Sequence, residues 1–459
     1  MSNNYDIKAH AARYSKDAGP DDNPLVEALP EQLFGDNLQM ALRRTEVLPE
    51  NWRSLSVGRR IRACERLRFL YMPFDYSVTI YNLVYRGLRT AYEGKNDETL
   101  MNRQLNAIGK AIHRKDYDSL PDFIHQAESF AVLGSPGMGK TETVNRILSM
   151  FPRIIAHTEY CGQPYEKIQI PYLRVQCPPN DSIKGLCIQI LSDIDSLLGT
   201  DHATEEERKL SRIDDLVCKI AALCLKFNIG LILIDEIQNV LKMRTKDKDS
   251  NSMLIKFLVE LNNKTGICVF CIGTTQVEQY FTREKHLERR TRGPRIMPLE
   301  YDGSYRAVLG LIWNQMPLLE RPELTQEMSG LIYKISKGVL SNITSLLIST
   351  CEYALSHGKE SIDMEMVKTV AKIESYSSVS STNGVNSPEA MYSAPKLPKE
   401  KKVKKKPPKE AQELEKTKRG RPTLDREPED ILTIYAQCHK NGMSVAKCLL
   451  MMDVAVRLE

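Results

Sequence analysis

The sequence predicts an α/β fold with a central parallel sheet, preceded and followed by helical segments and ending in a basic tail. Short apolar runs begin at Phe130, Leu231 and Ile267, and each ends in a glycine or in polar residues. Segments with helical periodicity separate these runs. Strands that alternate with helices form parallel sheets, whose ligand sites lie at the carboxyl ends of the strands.

The chain of 459 residues is long enough for two or three domains. No apolar run reaches the length of about 18 residues that a membrane span needs, so we expect a cytoplasmic protein without membrane contact. The eleven cysteines are scattered, which favours reduced core thiols over disulfides. We divide the chain into an α-rich N-terminal recognition module (1–115), an α/β domain (116–300), an α-helical lid (301–376), a disordered basic linker (377–427) and a short helical docking element (428–459).

The N-terminal module is predicted from helical periodicity over 58–71 and 76–92. The first of these runs has apolar residues near one face and several arginines elsewhere. The arginines suit nucleic acid or an acidic partner, and an ordinary solvated helix face explains them equally well. We find no catalytic constellation in this region, so recognition is its expected role.

A phosphate-binding loop is predicted where the run from Phe130 ends. The sequence there fits the pattern G-x-x-x-x-G-K-[ST] at every fixed position. Such a loop presents backbone N–H groups at a helix N-terminus, where negative charge is favoured. The lysine then reaches the β- and γ-phosphates, and the Thr hydroxyl holds Mg²⁺. The predicted nucleotide-binding residues are Gly134, Ser135, Pro136, Gly137, Met138, Gly139, Lys140, Thr141 and Glu142.

Two acids at the end of a second strand are the predicted partners of this loop. The run from Leu231 to Ile234 has the composition of a strand buried on both faces, and Asp235 and Glu236 follow it. We expect Asp235, with Thr141, to hold Mg²⁺ and Glu236 to orient or activate the attacking water. A surface pair of acids after a core strand is the simpler alternative.

The third strand supplies a predicted sensor of the γ-phosphate. The run from Ile267 leads into Thr274 and Thr275, and Thr274 is the first choice of the two. A basic segment follows, in which Arg289 and Arg290, with Arg292 as a further possibility, are candidates to complete the site of a neighbouring subunit. A turn without a role and a basic surface turn remain the alternatives for the two segments.

Candidate DNA contacts come from basic residues of the α/β domain. In a ring of subunits, Lys184 or the loop after the acids, with Lys242 and Arg244, would face a central channel and the phosphates of DNA. In the lid, Ser341 and Asn342 occupy the helix junction where related lids place an arginine, which argues against an arginine sensor there. In the tail, the segment 418–422 resembles the core of a minor-groove-binding hook.

A family resemblance extends these predictions. The loop GSPGMGKT, the run LILIDEIQNV and the stretch IGTTQ together resemble the AAA+ ATPases. The closer resemblance is to the TnsC family, the ATPase regulators of Tn-seven-like transposons, with TniB proteins as smaller relatives. It covers residues 20–375 approximately and is carried by DNPLVEALP (22–30), IPYLRVQC (170–177), DSIKGLCIQIL (181–191) and LILIDEIQNV (231–240).

The resemblance implies an AAA+ fold, ATP and Mg²⁺ as ligands, and a homo-oligomer. TnsC-like proteins assemble with ATP into hexameric or heptameric rings or filaments on double-stranded DNA. They receive a target from a TniQ/TnsD-type selector and pass it to the TnsB transposase and the TnsA endonuclease. On this carry-over Lys140 and Thr141 bind phosphate and Mg²⁺, Asp235 and Glu236 serve the metal and the water, and Thr274 is the sensor. A bacterial, nucleoid-associated location follows.

Other functions remain open at this point. A helicase loader or replication initiator shares the fold, but it needs a helicase-docking segment or an added DNA-binding domain, and neither is evident. A kinase predicts an acceptor pocket, whereas the paired acids favour water as the acceptor. A scaffold that holds ATP and hardly hydrolyses it would keep the same motifs.

Overall fold

The computed structural model describes residues 9–117, 120–178, 182–209, 211–241, 248–278, 292–320 and 322–374. The chain divides into two compact units, Met1–Asn383 and Gly384–Glu459, and every described residue belongs to the first. Within these ranges no helix combines the length and the apolar character needed to cross a membrane. The predicted basic linker, the hook-like segment and the C-terminal docking element lie outside the described residues.

Seven strands form one sheet. The strands are β1 (His10–Ala11), β2 (Phe130–Gly134), β3 (Ile155–Tyr160), β4 (Gln163–Gln176), β5 (Ile229–Asp235), β6 (Cys268–Gly273) and β7 (Arg295–Ile296). Their order is β1-β3-β4-β5-β6-β2-β7. All neighbours run parallel except β3 and β4, which form an antiparallel hairpin that the sequence reading did not predict. The sheet is therefore mostly parallel.

Fifteen helices lie among the described residues, with three short 3₁₀ segments at Trp52–Ser54, Glu65–Phe69 and Thr275–Val277. The helices of the N-terminal region are α1 (Pro24–Glu27), α2 (Gly35–Leu42), α3 (Val57–Cys64), α4 (Asp75–Glu93) and α5 (Glu98–Arg114). Those between the strands are α6 (Lys140–Leu148), α7 (Ile183–Leu198), α8 (His202–Arg208), α9 (Ile213–Lys226), α10 (Gln238–Leu241) and α11 (Lys248–Thr265). Those of the lid are α12 (Gly303–Asn314), α13 (Gln326–Ser336), α14 (Leu340–Ser356) and α15 (Met364–Ile373).

Both faces of the sheet are covered, as the apolar runs predict. Every residue of β5 is buried. Leu231 and Leu233 join a core cluster with α4 and α6, whereas Ile232 and Ile234 join a second cluster with α7, α9 and α11. Successive side chains of a strand point to opposite faces, so a strand inside such a sheet needs apolar residues at every position.

The N-terminal region contributes one of these covering helices. Helix α4 lies against β5 so closely that a Cβ on Gly230 would come within 2.6 Å of the Tyr92 hydroxyl and 2.8 Å of the Leu88 side chain. Leu88 and Tyr92 are fully buried. The sheet and part of the predicted recognition module therefore share one hydrophobic core, while the boundary proposed at residue 115 stays a prediction.

A second part of the N-terminal region packs on the lid. The Arg60 guanidinium forms a two-pronged ion pair with Glu360, with both N–O distances at 2.5 Å. The Arg60 side chain is only 4% exposed. One turn later the Cys64 sulfur lies 3.3 Å from the sulfur of Cys351 on α14. Helix α3 is thus fixed to the lid by packing and by an ion pair in which Arg60 is buried and Glu360 is partly exposed.

Replacement of Glu360 by glutamine should lower the free energy of unfolding by about 3 kcal/mol, because it leaves the buried Arg60 charge without a counter-ion. Urea unfolding followed by circular dichroism measures the change. Glu365→Gln is the matched control, since Glu365 pairs with Lys368 at the surface with its side chain 80% exposed. The control should leave the urea midpoint where it is, and an equal loss in both variants would contradict the assigned role.

The same pair has a predicted pH dependence. The hydrogen bonds from Arg60 hold the pKa of Glu360 below its ordinary value. A carboxyl whose folded pKa is lowered stabilises the fold fully above its unfolded pKa, and it loses that contribution as the pH falls through the lowered folded value. The stability difference between the wild type and Glu360→Gln should therefore shrink on acidification.

Candidate functional site

The strand order brings the predicted motifs to one edge of the sheet. Strand β6 lies between β5 and β2. Asp235 ends β5, Thr274 follows β6, and the loop from Gly134 to Lys140 follows β2. Because the three strands are parallel, their carboxyl ends, and the polar residues that follow, are neighbours.

The phosphate loop is held between β7 and its own lysine. The Ser135 N–H donates to the carbonyl of Ile296 at 2.9 Å. The Lys140 ammonium donates to the carbonyls of Gly134 and Ser135 at 2.9 and 2.8 Å. Burial lowers the pKa of Lys140, and the carboxylates of Glu236 and Asp235 oppose that shift. The ammonium is therefore a partly desolvated cation inside the loop, where an anionic ligand is favoured.

The Asp235 carboxylate is the best-connected polar group of the site. It is buried, with 2% of the residue exposed. The Thr141 hydroxyl donates to it at 3.1 Å, the N–H of Glu236 donates to it at 2.9 Å, and the guanidinium of Arg174 on β4 lies 3.5 Å away. The sequence analysis assigned Thr141 and Asp235 to one magnesium ion, and it did not single out Arg174, which stands inside a strand with no motif to mark it.

The oxygen donors of this pair suit Mg²⁺. Magnesium prefers carboxylate and hydroxyl oxygens and takes the rest of its shell from water and phosphate. Among the described residues no group of three or more His, Cys, Asp or Glu side chains could hold a metal ion. Thr141 and Asp235 therefore fit a magnesium ion that arrives with a nucleotide.

Glu236 and Thr274 are joined by Gln238, a residue that the sequence reading did not single out. The Gln238 amide donates to the Glu236 carboxylate, and its carbonyl oxygen accepts the N–H of Thr274 at 3.2 Å. The Thr274 hydroxyl is buried and has no hydrogen-bond partner in the described part of the chain. A buried hydroxyl without a partner is costly, which favours a ligand oxygen at this position. Thr275 begins a 3₁₀ turn.

The lid touches the phosphate loop directly. The N–H of Ser341, at the start of α14, donates to the carbonyl of Gly137 at 2.9 Å. Gly137 has a φ of +77°, and a Cβ there would lie 2.2 Å from the Ser341 hydroxyl. Glycine is required twice over, by backbone conformation and by space. The residue that stands where an arginine sensor was considered thus makes a main-chain contact with the loop.

A cavity of 550 Å³ lies beside the loop. The segments Met72–Tyr76 and 295–307 line it. The Phe74 and Tyr76 rings stack with their centroids 5.1 Å apart. Just before this segment, the Tyr71 hydroxyl donates to Thr143 of α6 at 2.9 Å. A larger cavity of 1390 Å³, between β1, α1 and the end of α6, is lined by none of the predicted site residues that the structure describes.

The remaining predicted residues are placed as follows. Met138 is fully buried in the core, and Glu142 pairs with Arg146 at 2.8 Å on the surface of α6. Lys184 is half-buried in the first turn of α7. Arg292 is exposed before β7. Arg289, Arg290, Lys242 and Arg244 lie outside the described residues.

A comparison with protein families identifies the domain that carries this site. Residues 124–281 match the family model described as an AAA domain. The matched range contains the phosphate loop, the paired acids and the end of β6. The chain therefore has the AAA+ P-loop ATPase fold, which confirms the predicted fold class, and at the general level it is a nucleotide-hydrolysing ATPase.

Solved structures are similar only in outline, and no curated protein sequence matches the chain. The ORC2 protein of Aeropyrum pernix is 14% identical, with 58% of this chain and 66% of that chain covered and a TM-score of 0.36. Drosophila ORC bound to DNA is 12% identical, with 78% and 75% covered and a TM-score of 0.32. The Thermotoga maritima RuvB motor is 14% identical, with 60% and 69% covered and a TM-score of 0.30. At these scores we transfer no property of those proteins to this chain.

Replacement of Gly137 by alanine should weaken ATP binding at least about tenfold, because a positive φ and the contact with Ser341 both exclude a side chain. Calorimetric titration with Mg²⁺ and a non-hydrolysable ATP analogue measures the affinity. Gly162→Ala is the matched control, since Gly162 has a φ of +76° with no atom within 4 Å of the added carbon. Equal losses at both positions would show that backbone strain alone is responsible.

Proposed function

We propose that this protein is an ATP-dependent, DNA-binding regulator of transposition that oligomerises on target DNA, with ATP hydrolysis as its switch. The observation that carries the ATPase part is the convergence of Lys140, Thr141, Asp235, Glu236 and Thr274 at one sheet edge. The transposition part rests on the resemblance to the TnsC family.

The residues divide the work of hydrolysis as follows. Lys140 and the N–H groups of the loop bind the phosphates, and Thr141 with Asp235 would hold Mg²⁺. The ion, when bound, supplies positive charge against the phosphate oxygens. Glu236, at the rim of the same site, accepts a proton from the attacking water or orients it. Thr274 offers its hydroxyl to the γ-phosphate.

The cavity beside the loop is the proposed site of the adenine base. It adjoins β7, whose Ile296 accepts the N–H of Ser135 in the phosphate loop. Phe74 and Tyr76 supply aromatic surface for a planar ring. Because residues 302–304 and Ala307, at the start of the lid, also line the cavity, an occupied cavity would tie the lid to the sheet.

Exposed arginines on α3 and just after it support DNA as a partner. Arg59 and Arg62 lie on α3, Arg66 lies in the 3₁₀ segment that follows, and all three are exposed. Arg60 and Cys64 pack on the lid instead. Among the described residues none of these three arginines has a carboxylate partner. Exposed arginines without carboxylate partners suit the phosphates of duplex DNA. Lys184, Lys242 and Arg244 remain proposed contacts in a ring channel.

The partners of the complex follow from the resemblance alone. A TniQ/TnsD-type selector would dock on the N-terminal region, and the TnsB transposase and TnsA endonuclease would dock on the C-terminal tail. A hexameric or heptameric ring or filament would complete each site with Arg289 or Arg290 of a neighbour. A bacterial cytoplasmic, nucleoid-associated location belongs to the same proposal. A helicase loader or replication initiator would share the DNA assembly and differ in these partners.

Two variants of the site should separate assembly from hydrolysis. Lys140→Ala should abolish ATP-dependent assembly on duplex DNA, because it removes the cation of the phosphate loop. Glu236→Gln should assemble and persist, because binding is kept and hydrolysis is lost by at least about a hundredfold. Size-exclusion chromatography with light scattering and a phosphate-release assay measure the two properties.

The control is Glu365→Gln, which changes an exposed carboxylate of α15 that pairs with Lys368 at the surface of the lid. It should assemble and hydrolyse like the wild type. Normal hydrolysis by Glu236→Gln would contradict the assignment of the water-activating residue, and assembly of Lys140→Ala with ATP would contradict the role of the loop.

A further inference from the structure

The side chain of Gln238 bridges Glu236, which follows β5, and Thr274, which follows β6. It is the first residue of α10, two positions after Glu236. The side-chain amide donates to the Glu236 carboxylate, and the side-chain carbonyl accepts the N–H of Thr274 at 3.2 Å. Both polar atoms of the Gln238 side chain therefore bind residues, Glu236 and Thr274, that have proposed roles in hydrolysis.

The main chain and the carboxylate of Glu236 are held by different partners. Glu236 has a φ of +58°, a left-handed conformation that is uncommon for a residue with a side chain. Its N–H is fixed by the Asp235 carboxylate at 2.9 Å. In the described ranges Gln238 supplies the one hydrogen bond that reaches the Glu236 carboxylate. The main chain is thus held by Asp235, and the orientation of the acid is set by Gln238.

We propose that Gln238 is a positioning residue for ATP hydrolysis, which aims the Glu236 carboxylate at the attacking water and links that aim to the end of β6. The inference rests on the ATP hydrolysis proposed above. A hydrogen bond to a charged carboxylate is stronger than one between neutral groups, so it holds the acid in one orientation at little cost. The anchor at Thr274 keeps the amide itself from rotating.

The same link couples the sensor to the acid. The N–H of Thr274 anchors Gln238, while the Thr274 hydroxyl is buried without a partner in the described structure. A phosphate oxygen that accepts a hydrogen bond from this hydroxyl would fix Thr274, and Thr274 in turn anchors Gln238. Glu236 is then best aimed when the γ-phosphate is in place, and its aim loosens after that phosphate leaves.

The test replaces the amide without changing its size. Gln238→Glu removes the donor to Glu236 and keeps an acceptor for the Thr274 N–H. Gln238→Leu removes both contacts without adding a charge. Asn239→Asp is the matched control, because it makes the same chemical change on the next residue, whose amide donates to the carbonyl of Cys177 instead. Each full-length variant is assayed for hydrolysis with duplex DNA, Mg²⁺ and ATP, and for binding of a non-hydrolysable ATP analogue.

We expect both Gln238 variants to lower kcat about tenfold, the effect of one lost hydrogen bond to a charged group. Affinity for a non-hydrolysable ATP analogue should stay within about twofold of the wild type, because Gln238 contacts Thr274 only at its main-chain N–H and has no hydrogen bond to Lys140 or Thr141 among the described residues. The loss of kcat with affinity retained is the result that a positioning role predicts. Asn239→Asp should match the wild type in both properties.

The outcomes distinguish this inference from the function on which it rests. A wild-type chain without ATPase activity overturns both. A hydrolysing wild type whose Gln238 variants keep or raise kcat, or lose it no more than Asn239→Asp, overturns the positioning role alone. A fall in kcat that comes with an equal fall in affinity for the analogue also overturns it, because a structural effect on α10 would give that result.

Discussion

A buried carboxylate organises this molecule. Asp235 is almost wholly withdrawn from solvent, and a charge in that position is stable only where other groups surround it. Its partners are the Thr141 hydroxyl on α6, the Arg174 guanidinium on β4 and the N–H of Glu236. They meet because β4 pairs with β5, and because only β6 separates β5 from β2, after which α6 begins. The contacts that stabilise the carboxylate are thus the contacts that assemble the site, and stability and function depend on the same geometry.

The N-terminal region contacts the sheet, the helix of the phosphate loop and the lid. Helix α4 completes one face of the sheet, Tyr71 holds the phosphate-loop helix through Thr143, and Arg60 fixes the neighbouring helix to Glu360 in the lid. The lid returns to the loop through the hydrogen bond from Ser341 to Gly137. These contacts are made by closely packed or charged groups. A ligand that displaces one of the groups would therefore strain the neighbouring contacts. These contacts connect the phosphate loop to the lid and to the N-terminal region.

Sequence reasoning succeeded where function demands particular residues at fixed spacing. The glycines, Lys140 and Thr141 stand in one continuous loop, and an apolar strand that ends in Asp235 and Glu236 marks its own position in a parallel sheet. It failed where long-range packing decides. The β3–β4 hairpin turns at Cys161 and Gly162, and Cys161 has a φ of +47°, which no turn preference of cysteine signals. Tyr71 meets Thr143 across 72 residues of chain, a contact without a local pattern. Gln238 lies two residues after Glu236 in the sequence, but only its hydrogen bonds in the structure show that it bridges Glu236 and Thr274.

The central claim is that this ATPase site controls assembly on DNA. Electron microscopy of the wild-type chain with duplex DNA, with and without a non-hydrolysable ATP analogue, tests it most directly. We predict rings or filaments around the DNA when the analogue and Mg²⁺ are both present, and dispersed subunits when either is withheld. A chain that stays monomeric on DNA in every condition would contradict the claim.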